Sequence, residues 1–527
     1  MKERIEHVVI VGGGTAGWLS AVVLNRMLGR EGGCTVTLVE SSDIGTIGVG
    51  EATLPTLRRT LALCGIDETE WMVRCNASFK LAIRFVNWTG LPRRPVYWHP
   101  FGSLPAPGGL SLTQHWLARH LRGDPTPLDE ACAPALAACH ARRAARRGDE
   151  PAYSGPLTYA YHLDAGLFAD YLKELGKARG VRHVVDEVTG VSLDGRGFVR
   201  ALHTARQGDL TGDLFIDCSG FRGLLVNEAL GEPFVSYGDA LLCDRAVAIP
   251  LPTDDAAQGI RPYTTATALG AGWVWNTPLF GRSGNGYVYS SAFLTPEEAE
   301  REFRAHLGPQ SAGVQARHLK MRVGRTRNPW VKNCVAIGLA GGFIEPLEST
   351  GIWFIELGLY NLLLNFPDRR FAPGVTSEYN RLMARYYEHV RDFIVLHYCL
   401  TRRRDTPFWR ANADHARLPD SLRARLDLWR EMLPNGQKLD GWGLFKDASH
   451  AYILAGLGHL PDHPLPLLTP ADGRAAESTF EELRREAGRM CDVLPDHYQY
   501  LLGLRGGEVV AGGAASGSRK WTTTGTA

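Results

Sequence analysis

The glycine-rich turn near the N terminus constrains the fold of this chain more than any other feature. The turn Gly12-Gly-Gly-Thr-Ala-Gly17 follows the apolar run His7 to Val11, which predicts a short buried strand. Apolar residues recur at helical spacing from Trp18 to Leu28, and residues 34–40 predict a second strand. A strand, a glycine turn, a helix and another strand predict a parallel sheet of the doubly wound α/β type.

This turn also predicts a ligand. Glycines let the backbone approach a pyrophosphate closely, and the amides at the start of a helix attract that anion. Glu40 ends the second predicted strand, where a carboxylate can accept hydrogen bonds from a ribose hydroxyl. The pattern therefore predicts an adenine dinucleotide, and it does not by itself distinguish NAD from FAD.

Two later segments favour FAD. Asp217-Cys-Ser-Gly220 and the strand end at Gly338 occur where flavoprotein hydroxylases contact their FAD again from distant parts of the chain. No second glycine fingerprint follows a strand, so we expect reducing equivalents to come from a separate flavin reductase. The residues predicted to bind FAD are Gly12, Gly14, Thr15, Ala16, Gly17, Glu40, Gly50, Glu51, Ala52 and Gly338.

Composition excludes several other classes of protein. With 527 residues and a formal net charge of +2, the chain carries no excess charge for a nucleic acid or an anionic membrane. Its ten cysteines contain no C-x-x-C pair, which argues against a zinc site or a disulfide framework and favours the cytoplasm. The sequence contains no run of about 18 apolar residues, so we expect no membrane span.

The pattern along the chain predicts three modules. We expect residues 1–103 and 157–365 to form the FAD-binding and catalytic module, which is of the flavin monooxygenase type. Residues 104–156, rich in Pro, Ala, Gly and Arg, predict an insertion on its surface. Residues 366–504 predict a largely helical substrate module, and the Gly-, Ala-, Ser- and Thr-rich residues 505–527 predict a disordered tail.

Three further segments carry a family resemblance. They are Gly48-Val-Gly-Glu51-Ala-Thr53, Gly272-Trp-Val-Trp-Asn-Thr-Pro278 and Glu345-Pro-Leu-Glu-Ser-Thr-Gly351, with Ser78-Phe-Lys80 between the first two. Together and in this order they resemble the flavin-dependent tryptophan halogenases, over about His7 to Trp409. The family usually has isoleucine where this chain has Thr277.

The resemblance implies a halogenation that uses reduced FAD, oxygen and chloride or bromide. In the family, hypohalous acid forms beside the flavin, and a lysine that corresponds to Lys80 passes electrophilic halogen to an aromatic ring, either as a chloramine or through a hydrogen bond. Glu348 corresponds to the carboxylate that stabilises the cationic ring or removes its proton. The resemblance also places the halide at Thr350 and Gly351, and it assigns to Trp273 and Trp275 the role of preventing monooxygenation.

Local patterns are compatible with these roles but do not establish them. Residues 78–85 alternate between polar and apolar side chains, which predicts a half-buried strand with Lys80 on its polar face. Taken alone, the pattern favours an ordinary solvated strand lysine at Lys80, and only the resemblance favours the catalytic role. Glu348 precedes a predicted helix and, taken alone, could simply complement the helix dipole.

The substrate is predicted to be an indole. Tyr97-Trp-His-Pro-Phe101 resembles the family segment in which a histidine and a phenylalanine enclose the ring, and this assigns His99 and Phe101 to the substrate. The family's C-terminal clamp for the free amino acid has paired tyrosines and a glutamate, and both are absent from Leu439 to Tyr452. Since burying an unpaired zwitterion is costly, we expect the ring to arrive on something larger, such as a peptide, through a more open entrance.

Three alternatives remain at this point: a halogenase of free tryptophan or of another indole or phenol, a flavin hydroxylase, and an inactive FAD-binding protein. We expect no metal ion, and we expect a homodimer, the most frequent oligomer.

Overall fold

The computed structural model describes residues 3–29, 33–42, 50–92, 94–435 and 443–507. Its central sheet confirms the predicted α/β type, because His7–Val11 pairs in parallel with Thr35–Glu40 on one side and with Leu214–Asp217 on the other. Within the described residues this sheet has the strand order Trp330–Val331, Cys334–Ala336, Leu214–Asp217, His7–Val11, Thr35–Glu40, Arg182–Val185. Every neighbouring pair is parallel except the first.

A second, larger sheet is mostly antiparallel. Its order is Arg317–Lys320, Arg245–Ala248, Arg282–Tyr289, Gly272–Pro278, Tyr263–Ala268, Ala82–Val86, Val96–Pro100, with Leu251–Pro252 paired to Arg282–Tyr289. Three small sheets complete the strands of the described part: Gly50–Ala52 with Ala160–Asp164 and Ser78–Lys80, Val188–Leu193 with Val199–Thr204 and Gly208–Leu210, and Phe234–Ser236 with Gly324–Thr326 and Gly342–Phe343.

The helices follow the sequence pattern closely. Thr15–Leu28 begins directly after the glycine turn, and Asp164 caps Ala165–Ala178 by accepting from the backbone N–H groups of Gly166 and Leu167. In the part of the chain before residue 366, the α-helices are Thr15–Leu28, Thr56–Leu63, Glu68–Arg74, Leu112–Leu121, Leu128–Cys132, Ala135–His140, Ala165–Ala178, Asp255–Gln258, Pro296–Leu307 and Gly351–Leu364.

The C-terminal part is helical, as predicted. Its α-helices in the described ranges are Pro373–Cys399, Pro407–Asn412, Asp420–Glu431, Asp447–Leu457, Pro470–Val493 and His497–Leu504. The predicted disordered tail falls mainly on residues 508–527, which lie outside the described residues.

Residues 104–156 are not the surface insertion that we expected. Leu112, Trp116, Leu128 and Cys139 are buried in the main hydrophobic core. The three α-helices of this segment pack against Pro470–Val493, so the segment is enclosed between the second sheet and the C-terminal helices. The Pro- and Arg-rich composition of this segment does not reveal its apolar face, which the C-terminal helix Pro470–Val493 covers.

The strand predicted around Lys80 also differs. Ser78–Lys80 and Ala82–Val86 belong to two different sheets, and the chain passes from one to the other at Leu81. Phe79, Lys80 and Leu81 are all buried, because both faces of this segment are covered. Polar and apolar side chains do alternate here as predicted, but Lys80 on the polar face is buried and not solvated.

None of the helices that the structure describes is both long enough and apolar enough to cross a membrane.

Candidate active site

A cavity of about 480 Å³ lies where the parallel strands of the central sheet end. Its walls include the glycine turn, Glu40, and the residues that follow Leu214–Asp217. The second sheet closes the far side through Thr264, Trp275 and Thr277. A cavity at the carboxyl ends of parallel strands is the usual ligand site of a doubly wound sheet.

The glycine turn has no room for side chains at its first two positions. At Gly12, whose φ is +111°, an added Cβ would lie 2.3 Å from the carbonyl oxygen of Cys218. A Cβ at Gly13 would collide with the carboxylate of Glu40. Gly14 caps Thr15–Leu28 without a side chain and has no atom near its Cβ position, so the first amides of this helix face open space.

Glu40 stands beside this turn. Its Oε1 is held by Lys173 Nζ at 2.7 Å and by His183 Nε2 at 2.8 Å. Gly17 has a different role, since its Cβ would lie 1.8 Å from the Gly12 carbonyl oxygen. Here glycine lets the helix start pack against the turn.

Residues from separate segments complete the lining of the cavity. Gly50, Glu51 and Ala52 line it, and burial raises the pKa of Glu51 to about 7. Gly338 lines it with a φ of +70°, and a Cβ there would lie 2.7 Å from Ala16 Cβ. Nine of the ten residues that we predicted to bind FAD thus line the cavity, and the tenth, Gly17, packs behind the glycine turn. The upstream residues Gly48 and Val49 lie outside the described residues.

Lys80 lies immediately behind the wall of this cavity. Its Nζ donates to Ser349 Oγ at 2.8 Å and to the Thr53 carbonyl oxygen at 3.2 Å, and Ser349 itself lines the cavity. Burial lowers the pKa of Lys80 to about 7, although the nearby carboxylate of Glu348 opposes this shift. Both the amine and the ammonium are therefore present near neutral pH.

Glu348 is buried between two histidines. His99 Nδ1 lies 2.8 Å from Oε2, and His397 Nε2 lies 3.1 Å from Oε1, at ion-pair distance but outside hydrogen-bond alignment. His397 Nδ1 is in turn hydrogen bonded to the hydroxyl of Tyr97 at 2.9 Å. Burial raises the pKa of Glu348, but the histidines outweigh it and bring the pKa to about 2. The group is a carboxylate at neutral pH.

The helix that follows Glu348 begins at Gly351 without a side-chain cap. Gly351 lines the cavity, and Thr350 is fully buried, with no hydrogen-bond partner for its hydroxyl among the described residues. Ser349 reaches this position with a φ of +62°. An uncapped helix start beside an unpartnered hydroxyl suits a small anion.

Trp273 and Trp275 lie at different distances from the cavity. Trp275 lines the cavity, while Trp273 lies behind it with ring centroids 6.4 Å apart. Trp273 Nε1 donates to Glu345 Oε1 at 3.0 Å, and the Tyr398 hydroxyl donates to the same oxygen at 2.5 Å. Burial raises the pKa of Glu345 to about 7 against these two hydrogen bonds.

Aromatic side chains surround Lys80 and Glu348 on the side away from the cavity. The Lys80 ammonium lies 5.2 Å from the ring centroid of Phe101. The His99 ring contacts Phe393, Phe445 and Tyr452, all of them buried. The predicted residues His99 and Phe101 are thus close to Lys80 or to its neighbour Glu348, while residues 439–442 of the region compared with the family's clamp lie outside the described residues.

Comparison with known proteins identifies the family. The tryptophan halogenase family model matches residues 7–472. A tryptophan 6-halogenase from Streptomyces toxytricini is 43% identical over 95% of this chain and 98% of its own length, and its crystal structure superposes with a TM-score of 0.88 over 94% of this chain and 99% of its own. The chain belongs to the flavin-dependent tryptophan halogenases.

Two further members help to place this halogenase. A tryptophan 7-halogenase from Lentzea aerocolonigenes is 40% identical over 95% of this chain and 99% of its own length. A lanthipeptide tryptophan 5-halogenase of known structure is 30% identical, covers 95% of this chain and 93% of its own length, and has a TM-score of 0.78.

Halogenases of this family use FADH2, a halide and O2, and they need a separate flavin reductase. The cavity fits FAD, because the space beside Gly14 is free of other described protein atoms and the helix that starts there has no side-chain cap on its first amides.

Sequence reasoning missed several residues of the halogenase site. His397 contacts Glu348 and is hydrogen bonded to Tyr97, Ser349 accepts from Lys80, and Tyr398 donates to Glu345. The available signal was a histidine within the apolar run of Pro373–Cys399, since a histidine among buried residues needs polar partners.

Proposed function

We propose that this enzyme forms hypohalous acid in the cavity and uses it at Lys80 to halogenate the indole ring of tryptophan. The observation that carries this proposal is the position of Ser349, which lines the cavity and also accepts a hydrogen bond from Lys80 Nζ. One residue therefore separates the compartment of the cofactor from the amine.

In this proposal the glycine turn and Glu40 hold the adenosine diphosphate part of FAD. The isoalloxazine then lies at the other end, among Trp275, Thr277 and Ser349. The bound reduced flavin supplies the two electrons that activate oxygen. The halide binds at the amides of Gly351 and beside the hydroxyl of Thr350, and Trp273 and Trp275 keep the aromatic substrate away from the flavin.

Lys80 takes over the halogen. As a neutral amine it can form a nitrogen–halogen bond while the oxygen–halogen bond of hypohalous acid breaks and water leaves. As an ammonium it can instead donate a hydrogen bond that polarises the same bond. Its pKa of about 7 makes both forms accessible, and the choice between them does not alter where the halogen is delivered.

Glu348 acts on the ring. When an indole carbon takes the halogen, the nitrogen–halogen bond of Lys80 breaks and the lysine nitrogen takes up a proton; the ring becomes cationic and must lose a proton. The carboxylate of Glu348 stabilises that cation and accepts the proton, because His99 and His397 keep it ionised.

The enclosed aromatic surroundings support a substrate of tryptophan size. His99, Phe445 and Tyr452 are each at most 5% exposed, which suits a small ring-bearing molecule better than an open peptide groove. The greater similarity to the tryptophan 6-halogenase than to the lanthipeptide halogenase points the same way. Tryptophan within a peptide remains the alternative, because the missing clamp residues favour it.

The test combines the purified enzyme with FAD, a flavin reductase, chloride, and either L-tryptophan or a tryptophan-bearing peptide. We expect mass spectrometry to show chlorinated L-tryptophan, and halogenation of the peptide alone would instead support the alternative. Lys80→Ala should abolish the product while FAD binding and peroxide formation persist, whereas Lys177→Ala, at an exposed helix position, should change neither. A hydroxylated product, or full activity of Lys80→Ala, would refute the proposal.

A further inference from the structure

A buried histidine joins the strand of Lys80 to the wall of the flavin cavity. His162 is fully buried on Ala160–Asp164, where it pairs with Ser78 across the small sheet. Its Nδ1 lies 3.1 Å from Ser78 Oγ, and its Nε2 lies 2.9 Å from Thr264 Oγ1. Thr264 lines the cavity at the end that also holds Trp275 and Thr277.

The hydrogen-bond partners of Ser78 determine which ring nitrogen carries the proton. Ser78 Oγ donates its only proton to the Pro278 carbonyl oxygen at 2.5 Å. It must therefore accept from His162, so that Nδ1 carries a hydrogen. The Pro278 carbonyl also interacts with this imidazole, as expected for a protonated Nδ1.

The second nitrogen of His162 is consequently an acceptor. The ring stays neutral because burial desolvates it and because the nearby groups that act on it electrostatically, Lys80, His497 and Arg261, are all bases, so that its pKa lies well below the ordinary value. Neutral imidazole with hydrogen on Nδ1 has a lone pair on Nε2. The hydroxyl of Thr264 therefore donates its proton to His162, and only the lone pairs of its oxygen remain for a ligand.

We propose that His162 is a positioning residue that fixes the Thr264 hydroxyl as a hydrogen-bond acceptor for the reduced isoalloxazine. This inference rests on the proposed location of the ring at this end of the cavity. Reduced flavin carries more ring N–H donors than oxidised flavin does. A threonine hydroxyl that can only accept a hydrogen bond therefore binds the reduced form more strongly. The wall then favours the redox state that the reductase delivers.

Two variants test the proposal. Thr264→Val removes the hydroxyl with little change of shape, and His162→Asn keeps a donor near Ser78 while releasing Thr264. Thr265→Val is the matched control, because the Thr265 hydroxyl is buried on the same strand and has no partner. The measurements are the dissociation constants of oxidised and reduced FAD, and the midpoint potential of the bound flavin.

We expect each of the two variants to bind reduced FAD about fivefold more weakly, with a much smaller change for oxidised FAD. The potential of the bound flavin should then fall by about 20 mV for this two-electron couple. The double variant should be no weaker than either single one, since both remove the same hydrogen bond. Thr265→Val should behave like the wild type.

Additive effects would refute the proposal, as would equal weakening of both redox states or a wild-type potential in Thr264→Val. If His162→Asn failed to fold, the potential of Thr264→Val would still decide. Failure of the proposed function would appear differently, as a loss of halogenated product with these flavin affinities unchanged.

Discussion

Lys80, the residue that we propose to carry the halogen, opposes the stability of the folded protein. A lysine whose pKa falls from 10.5 to about 7 destabilises the folded state by up to about 5 kcal/mol below pH 7. Replacing Lys80 with methionine removes this destabilisation, but it also removes two hydrogen bonds that stabilise the fold by about 1 kcal/mol each. We therefore expect Lys80→Met to stabilise the cofactor-free protein by about 2 kcal/mol near pH 7.

The stability difference between Lys80→Met and the wild type is expected to depend on pH. Between pH 7 and 10.5 the unfolded chain binds the Lys80 proton and the folded protein does not, so wild-type stability rises with pH in that window. The advantage of Lys80→Met should thus shrink from pH 6.5 to pH 9.5 in urea unfolding. A variant that is less stable than the wild type at both pH values would contradict this account. Lys177→Met, at an exposed position, serves as the control.

Glu348 has the opposite electrostatic situation, because two histidines keep it ionised. Glu348→Gln preserves the shape but removes the charge and the base, so we expect kcat for halogenation to fall about 100-fold or more. FAD affinity should stay within threefold of the wild type, since Glu348 does not line the cavity. Steady-state kinetics and flavin titration measure the two quantities. Retention of a tenth of the wild-type kcat would exclude Glu348 as the base.

At the scale of secondary structure elements, the second sheet contains a glycine whose absent side chain shapes the cavity wall. A Cβ at Gly286 would lie 2.0 Å from the ring of Trp275 on the neighbouring strand. Gly286→Ala should push Trp275 into the cavity and weaken FAD binding at least about tenfold in a flavin titration. Gly374→Ala, at an open position of a helix, should leave the affinity unchanged and raise stability slightly. Normal flavin affinity in Gly286→Ala would mean that the ring does not form this wall.

Elements with a regular pattern were predictable from the sequence, and contacts between them were not. The strand, turn and helix around the glycine motif follow from local periodicity, and the cap at Asp164 follows from residue type. The break at Leu81 was not predictable, because two consecutive strands with continuous alternation look like one until their partners are known. The same reason hid His397, whose partner Glu348 lies 49 residues earlier in the sequence.

At the scale of the whole molecule, a buried polar junction around Glu68 joins two parts of the chain. Glu68 accepts from the hydroxyls of Tyr159 at 2.8 Å and Tyr161 at 2.6 Å, from the backbone N–H of Tyr153, and from Arg146. Arg146 belongs to the segment 104–156, so the junction fastens that segment to the module that holds the cofactor. Composition alone suggested a peripheral insertion, because it cannot show that an arginine will be paired and buried.

Removing one partner of a buried ion pair leaves the other uncompensated, which typically costs about 3 to 5 kcal/mol. Arg146→Met should lose about 3 kcal/mol, at the lower end of this range, because three neutral donors to Glu68 remain. Arg147→Met is the matched control, since Arg147 is 47% exposed and pairs with Asp149, which is 65% exposed. Thermal unfolding should show a single transition at lower temperature for Arg146→Met, because the buried segment shares its core with the rest of the protein. Two separate transitions would instead mean that residues 104–156 unfold independently of the flavin module.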